Sequence, residues 1–244
     1  MTTTGSVAST IAFSNVDGPG NRFVVFVQGC NFDCVACHNP QTIPVFQHGH
    51  ERARYQRSVT DLLTEIRRAA PFLSGITVSG GEAMLQPEFV RDLFSAVRDD
   101  AALTQLTCFI DSNGASDASI WDLVIPVTDG TMIDLKCFDE HIHREMTGQS
   151  NELVLASIER LHALGLLYEV RLLLLTGVND DNALLRRTGE WLATVDPHMR
   201  VKVIGFRAHG ARAHDPPLVE PTPERLQAVA DLLHTIAPFD ICVI

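Results

Sequence analysis

Six short apolar runs rich in β-branched residues, at 23–28, 75–78, 106–110, 132–135, 170–175 and 201–206, alternate with segments of helical spacing. Val59, Leu62, Leu63 and Ile66 recur behind Ser58, with Asp61 in capping-box position. Phe89, Val90, Leu93, Phe94 and Val97 follow Pro87, a residue suited to a first helical turn. A third stripe, Val154, Ile158 and Leu161, stops at Gly165, and a fourth, Leu226, Val229, Leu233 and Ile236, follows Thr222-Pro223. Strands alternating with helices call for right-handed βαβ crossovers and a parallel sheet. Near-continuous apolar strands predict a sheet covered on both faces. Six units are too few to close an eight-stranded barrel, so the predicted fold is α/β, a partial (β/α)6 TIM-like barrel. The 244 residues, 45% hydrophobic and 20% charged, suit one large domain spanning 1–244.

In parallel α/β folds, ligands meet the carboxyl ends of the strands. Every unusual polar cluster in this chain falls at such an end. Cys30, Cys34 and Cys37 follow the first run; Ser79-Gly80-Gly81-Glu82 follows the second. Asp111-Ser112-Asn113-Gly114 follows the third, Lys136 the fourth, and Arg207 with His209 the sixth. Segments 43–57 and 208–220 read as the longest loops, either lids or plain solvated connections.

Three thiolates at C-x3-C-x2-C spacing can hold three irons of a [4Fe-4S] cube and leave the fourth open for chemistry. The competing readings are a zinc site that borrows His38 and a cysteine-rich turn with no metal. Cys108, Cys137 and Cys242 sit singly in or beside apolar segments and are expected to be small core residues. Gly80 and Gly81 lack Cβ atoms, which exposes main-chain polar groups to a ligand or merely makes a strand-to-helix turn. Asp134 and Lys136 share one strand face, as an internal ion pair or as ligand-binding groups. Arg171, inside an apolar strand, requires a carboxylate, expected from Glu82, Asp134 or a bound ligand.

A formal charge of -11 excludes nucleic acid as the main partner, because phosphate binding needs a basic footprint. No apolar stretch reaches the length of a membrane span, and the Thr/Ser-rich start lacks signal-peptide features, so a cytoplasmic protein is expected.

The cysteine spacing resembles that of the radical S-adenosylmethionine (SAM) superfamily. Further motifs narrow the resemblance: Asn15-Val16-Asp17-Gly18-Pro19-Gly20, Phe26-Val27-Gln28-Gly29-Cys30, Cys37-His38-Asn39-Pro40, Val78 to Gln86, Ile133-Asp134-Leu135-Lys136 and Met146 to Asn151. In that order they resemble the glycyl-radical-enzyme activating enzymes, typified by pyruvate formate-lyase activase. The resemblance implies a radical SAM barrel with one [4Fe-4S] cluster on Cys30, Cys34 and Cys37, and anaerobic chemistry on SAM. It implies a SAM site made by Ala36, Cys37, His38, Gly80, Gly81, Glu82, Asp111, Asn113, Asp134, Leu135, Lys136, Arg207 and His209. A monovalent cation at Asp111, Ser112, Met132 and Asp134 is implied, as are Asp17 and Arg171 toward the partner's glycine loop. The partners implied are a glycyl radical enzyme and a flavodoxin- or ferredoxin-like electron donor.

Two departures stand out. Ala36 replaces an aromatic residue common before the third cysteine, and Arg207 occupies the place of a family histidine, with His209 two residues on. No cysteine lies between Cys37 and Gly80, so no ferredoxin-like insert is expected. A radical SAM enzyme acting on a small molecule or short peptide is the alternative reading. Anaerobic reconstitution is expected to load about four irons per chain, with cluster spectra perturbed by SAM; stable zinc uptake without a SAM effect would sink the cluster assignment.

Overall fold

The computed structural model describes residues 3–45 and 55–244. Strands are β1 Thr4–Ser14, β2 Arg22–Val27, β3 Gln56–Ser58, β4 Gly75–Gly80, β5 Thr107–Ser112, β6 Gly130–Asp134, β7 Leu167–Leu174, β8 Arg200–Gly205 and β9 Asp240–Val243. Helices are α1 Val59–Ala69, α2 Pro87–Arg98, α3 Ala118–Val124, α4 Glu140–Thr147, α5 Glu152–Ala163, α6 Asn182–Val195 and α7 Pro223–His234. Among the described residues no helix is long and apolar enough to cross a membrane.

Two compact units divide the chain. The first comprises Met1–Asn31, Gln41–Ser112 and Ser116–Met132, and the second Phe32–Pro40, Asn113–Ala115 and Ile133–Ile244. In the first, the strand order is β3-β1-β2-β4-β5. β2, β4 and β5 run parallel, with Val25 opposite Val78 and Val78 opposite Ile110. β1 is antiparallel to both β2 and β3. In the second unit β7, β8 and β9 are parallel in that order. β6 carries the chain from one unit to the next.

All six expected strands are present, and each of the four helical stripes is a helix. Ser58 accepts from the Asp61 amide at the start of α1, and Thr222 from that of Arg225 at the start of α7. Val59, Leu62 and Ile66 are buried on α1, and Val229 and Leu233 on α7. These stripes cover the sheets with apolar side chains, which accounts for the unbroken apolar strands.

Strands β1, β3 and β9 went unread, whereas the long 208–220 connection and the burial of Cys108 and Cys137 agree with expectation. The Thr/Ser-rich start is a strand, and residues 56–58, expected in a loop, form β3 against it; residues 46–54 of that segment lie outside the described residues. Segment 208–220 has no helix or strand, only an isolated bridge from Thr176 to Val219. Cys108 and Cys137 are buried, and burial pushes their thiols up to about 12 and about 11; Cys242, on β9, is only half-buried.

Arg22 is fully buried at the start of β2. Its guanidinium donates to Thr77 Oγ1 at 2.6 Å, Thr107 Oγ1 at 3.0 Å and the Ile76 and Thr107 carbonyls at 2.6 and 2.9 Å. It also lies 4.4 Å over the Phe109 ring. Removing it strands several buried acceptors. Arg22→Met is therefore expected to cost about 2–4 kcal/mol, read as a lowered denaturant midpoint; an unchanged midpoint would refute this role.

His143 on α4 is fully buried, edge-on to Phe32 at 5.6 Å, with Nδ1 3.2 Å from the Cys137 carbonyl. Burial, with smaller contributions from Lys136 and Arg144, lowers its pKa from 6.5 to about 4. The unfolded chain then takes up the proton first, so this contribution to stability is complete above about pH 6.5. It is lost as pH falls toward 4. His143→Gln is expected to flatten the fall in stability across that window, measured by denaturant titrations at stepped pH.

Candidate functional site

At the end of β4 the chain comes against the segment leading out of β2. Gly80 has φ +116°, and a Cβ there would stand 2.3 Å from the Val27 nitrogen. A Cβ on Gly81 would stand 2.1 Å from the Gly29 carbonyl oxygen. Only glycine fits either position. The approach lets Gly81 donate its N–H to Val27 O at 2.9 Å and Glu82 to Gly29 O at 2.8 Å. Gly29 and Cys30 in turn donate to Thr42 O and Ile43 O at 2.8 and 3.1 Å. Cys30 is thus fixed by main-chain bonds on both its strand side and its loop side.

Glu82 is buried, and its carboxylate is spoken for. It accepts from the Met84 amide at 2.9 Å and from Ser112 Oγ at 2.7 Å. Ser79 Oγ donates to Asp111 at 2.8 Å. The tips of β4 and β5 are therefore tied by two side-chain bonds. Two glutamines, not assigned a role from the sequence, complete this unit. Gln28 Nε2 donates to Gln41 O and Pro44 O, and Gln86 bonds both main-chain groups of Ser6 and the Gln28 carbonyl. Their signal in the sequence was a glutamine directly before Gly29-Cys30 and another closing the Gly-Gly-Glu motif. Asp17 lies ahead of β2, accepting from Ser14 Oγ through its carboxylate and from Thr77 Oγ1 through its carbonyl at 2.7 Å.

The second unit holds the rest of the cysteine loop. Asp33 and Val35 donate their N–H groups to Thr147 O and Met146 O, both at 2.9 Å, at the end of α4. These are carbonyls that a helix terminus leaves without internal partners. Ala36 is buried in a cluster with Cys137, Met146, Leu175, Leu184 and Phe206. The His38 ring stacks on Phe206 at 5.8 Å and bonds the Arg207 carbonyl at 2.7 Å. Burial pushes the Cys34 thiol up, opposed by the charges of Lys136 and Arg212.

Asp134 and Lys136 form an ion pair at 2.7 Å. Burial alone would raise the Asp134 carboxyl, but the charges of Lys136, Arg171 and Lys202 outweigh it and hold the group below the ordinary carboxylate range. Arg171 bonds Glu169 at 2.8 Å, a carboxylate the sequence reading passed over although two residues apart on a strand share a face. Glu169 also meets Lys202 at 3.0 Å. Asn179, unassigned from sequence, donates to the Lys136 and Leu173 carbonyls, while Leu135 donates its N–H to Arg171 O. Asn113 closes a turn by accepting from the Ala115 amide at 2.9 Å. Arg207 and His209 are both exposed, and Arg207 turns to Glu220 at 3.6 Å.

The donor set suits a cluster. None of the six cysteines is in a disulfide, and among the described residues no three His, Cys, Asp or Glu side chains converge as one metal ion requires. A cube that takes one cysteine on each of three irons needs no such convergence.

Comparisons with known proteins bear on the whole chain. Residues 24–186 match the model of the radical SAM superfamily. The chain is 35% identical to a pyruvate formate-lyase-activating enzyme of Streptococcus mutans, over 95% of this chain and 92% of that one. It is 32% identical to pyruvate formate-lyase 1-activating enzyme of Escherichia coli, over 86% and 84%. A radical SAM methyltransferase structure from Sphaerobacter thermophilus superposes with a TM-score of 0.69 at 15% identity, covering 91% of this chain and 66% of that one, a likeness of fold. The chain belongs to the radical SAM superfamily, with its partial α/β barrel fold, and within it to the glycyl-radical-enzyme activating enzymes.

Proposed function

We propose that Cys30, Cys34 and Cys37 hold one [4Fe-4S] cluster with an iron left open, and that the Gly80-Gly81-Glu82 turn receives the ammonium group of SAM beside it. The observation that supports this reading is the contact of Gly81 with Gly29, which sets the Gly80-Gly81 turn against the residue before the first cysteine. When bound, the cluster and SAM supply one-electron reductive cleavage to a 5′-deoxyadenosyl radical and hydrogen abstraction from a backbone glycine of a partner glycyl radical enzyme. The protein's own residues bind, orient and exclude water.

The Ser79–Asp111 and Ser112–Glu82 hydrogen bonds hold the chain on either side of the glycine turn. Lys136, paired with Asp134, is assigned to the ribose and carboxylate of SAM, and the main chain of Ala36, Cys37 and His38 to its adenine. Asn113 and Leu135 are assigned to the same ligand. Arg207 or His209, both exposed, is assigned to the SAM carboxylate. A monovalent cation is assigned to Asp111, Ser112, Met132 and Asp134. Asp17 and Arg171 are assigned to the partner's glycine loop.

The 244 residues act as one catalytic domain in this reading, supported by a family match that runs through both compact units. Without cysteines between Cys37 and Gly80, the electron comes straight from a flavodoxin- or ferredoxin-like donor. Six free thiols are in keeping with a reducing, cytoplasmic setting. Mixing the reduced, SAM-loaded protein with a pyruvate formate-lyase under anaerobic conditions is expected to give a glycyl radical signal in electron paramagnetic resonance. Methionine and 5′-deoxyadenosine without a glycyl signal on any glycyl radical enzyme would point to a small substrate instead.

A further inference from the structure

Arg212, on segment 208–220, grips the cysteine loop. Its Nη2 donates to the Asp33 carboxylate at 2.5 Å and to the Cys34 main-chain carbonyl at 2.8 Å. Its Nε is buried with no hydrogen-bond partner among the described residues. The neighbouring Ala211 packs against the cluster of Ala36, Met146 and Phe206, so the arginine is delivered on a segment fastened to the same core as the cysteine loop. The interaction is also electrostatic. Arg212 and Asp33 form an ion pair at the cysteine loop.

We propose that Arg212 is a positioning residue that fixes the Cys34 carbonyl and raises the reduction potential of the cluster held by Cys34 and Cys37, with Asp33 as its partial counter-charge. The inference rests on the reading of the cysteines as cluster ligands. An arginine keeps its proton at every working pH, so the cation is constant. A cluster that accepts an electron gains one negative charge, and a fixed cation nearby favours that reduced form; net charge and exposure are the levers that set such potentials. Asp33 acts with the opposite sign. The side chains are 33% and 71% exposed, so water and salt screen both charges and the effect is moderate.

The test uses the reconstituted full chain without SAM, as wild type, Arg212→Met and Asp33→Asn. Each is titrated against potential while the reduced cluster is followed by electron paramagnetic resonance. Arg212→Met is expected to lower the reduced-to-oxidised ratio at a given potential about fivefold, the scale of one partly screened charge at the cysteine loop. Asp33→Asn is expected to move the ratio the other way. A clamp with only a structural role loosens the loop in both variants and shifts both in one direction; that result, or unchanged potentials, overturns the proposal. If Arg212→Met retains no iron, Asp33→Asn decides alone: an easier reduction supports the proposal, and an equal or harder one refutes it. A wild-type chain that takes up no cluster overturns the cluster reading and this inference together, an outcome distinct from a loaded cluster with unmoved potential.

Discussion

The approach of Gly81 to Gly29 is the constraint on which the first half of the site depends. A single added Cβ would fall inside the Gly29 carbonyl. That contact permits the main-chain bonds from Gly81 and Glu82, which hold the exit from β2 beside the exit from β4. The parallel register, with Val27 opposite Gly80, brings the two exits level. Cys30, the glycine turn and the Glu82–Ser112 bond are then placed together by backbone geometry, with little left to flexible side chains.

The second unit solves a different problem, that of placing charge in an apolar setting. Glu169 is almost wholly buried and is surrounded by Arg171, Lys202 and Arg200. Asp134 and Lys136 form a further pair on β6 and its exit. Losing one member of such a network leaves an unpaired buried charge, so the pairs act as a unit. The polar strand face is kept rigid because each charge has a partner at hand.

Much of this was legible in the sequence because it is local. Apolar runs, Ser58 and Thr222 as caps, and Pro87 at a helix start each declare themselves within a few residues. The cysteine triplet, the Gly-Gly-Glu turn and the Asp134/Lys136 spacing did so as well. β1 was not legible: its TGSVASTIAFS sequence has few apolar residues, and its place follows from pairing with β2 and β3 and from the Gln86 amide. Helix α4 is too short for a clear stripe, yet it carries the carbonyls that receive the cysteine loop. Nothing local in the sequence singles out Arg22, and only the folded sheet reveals its buried acceptors. Arg212 meets Asp33 across 179 positions of chain, a distance no spacing rule spans. The Arg171 partner was the exception, since Glu169 stood two residues away in plain sight.

The attachment of the cysteine loop to the end of α4 also imposes an order in time. Segment 32–40 has almost no regular structure, and the amides of Asp33 and Val35 find their acceptors only on Thr147 and Met146, more than a hundred residues later in synthesis. A nascent chain that has emerged only as far as Cys37 has the thiols without the shape. The loop therefore takes its final shape only after α4 has formed and its last carbonyls are at hand.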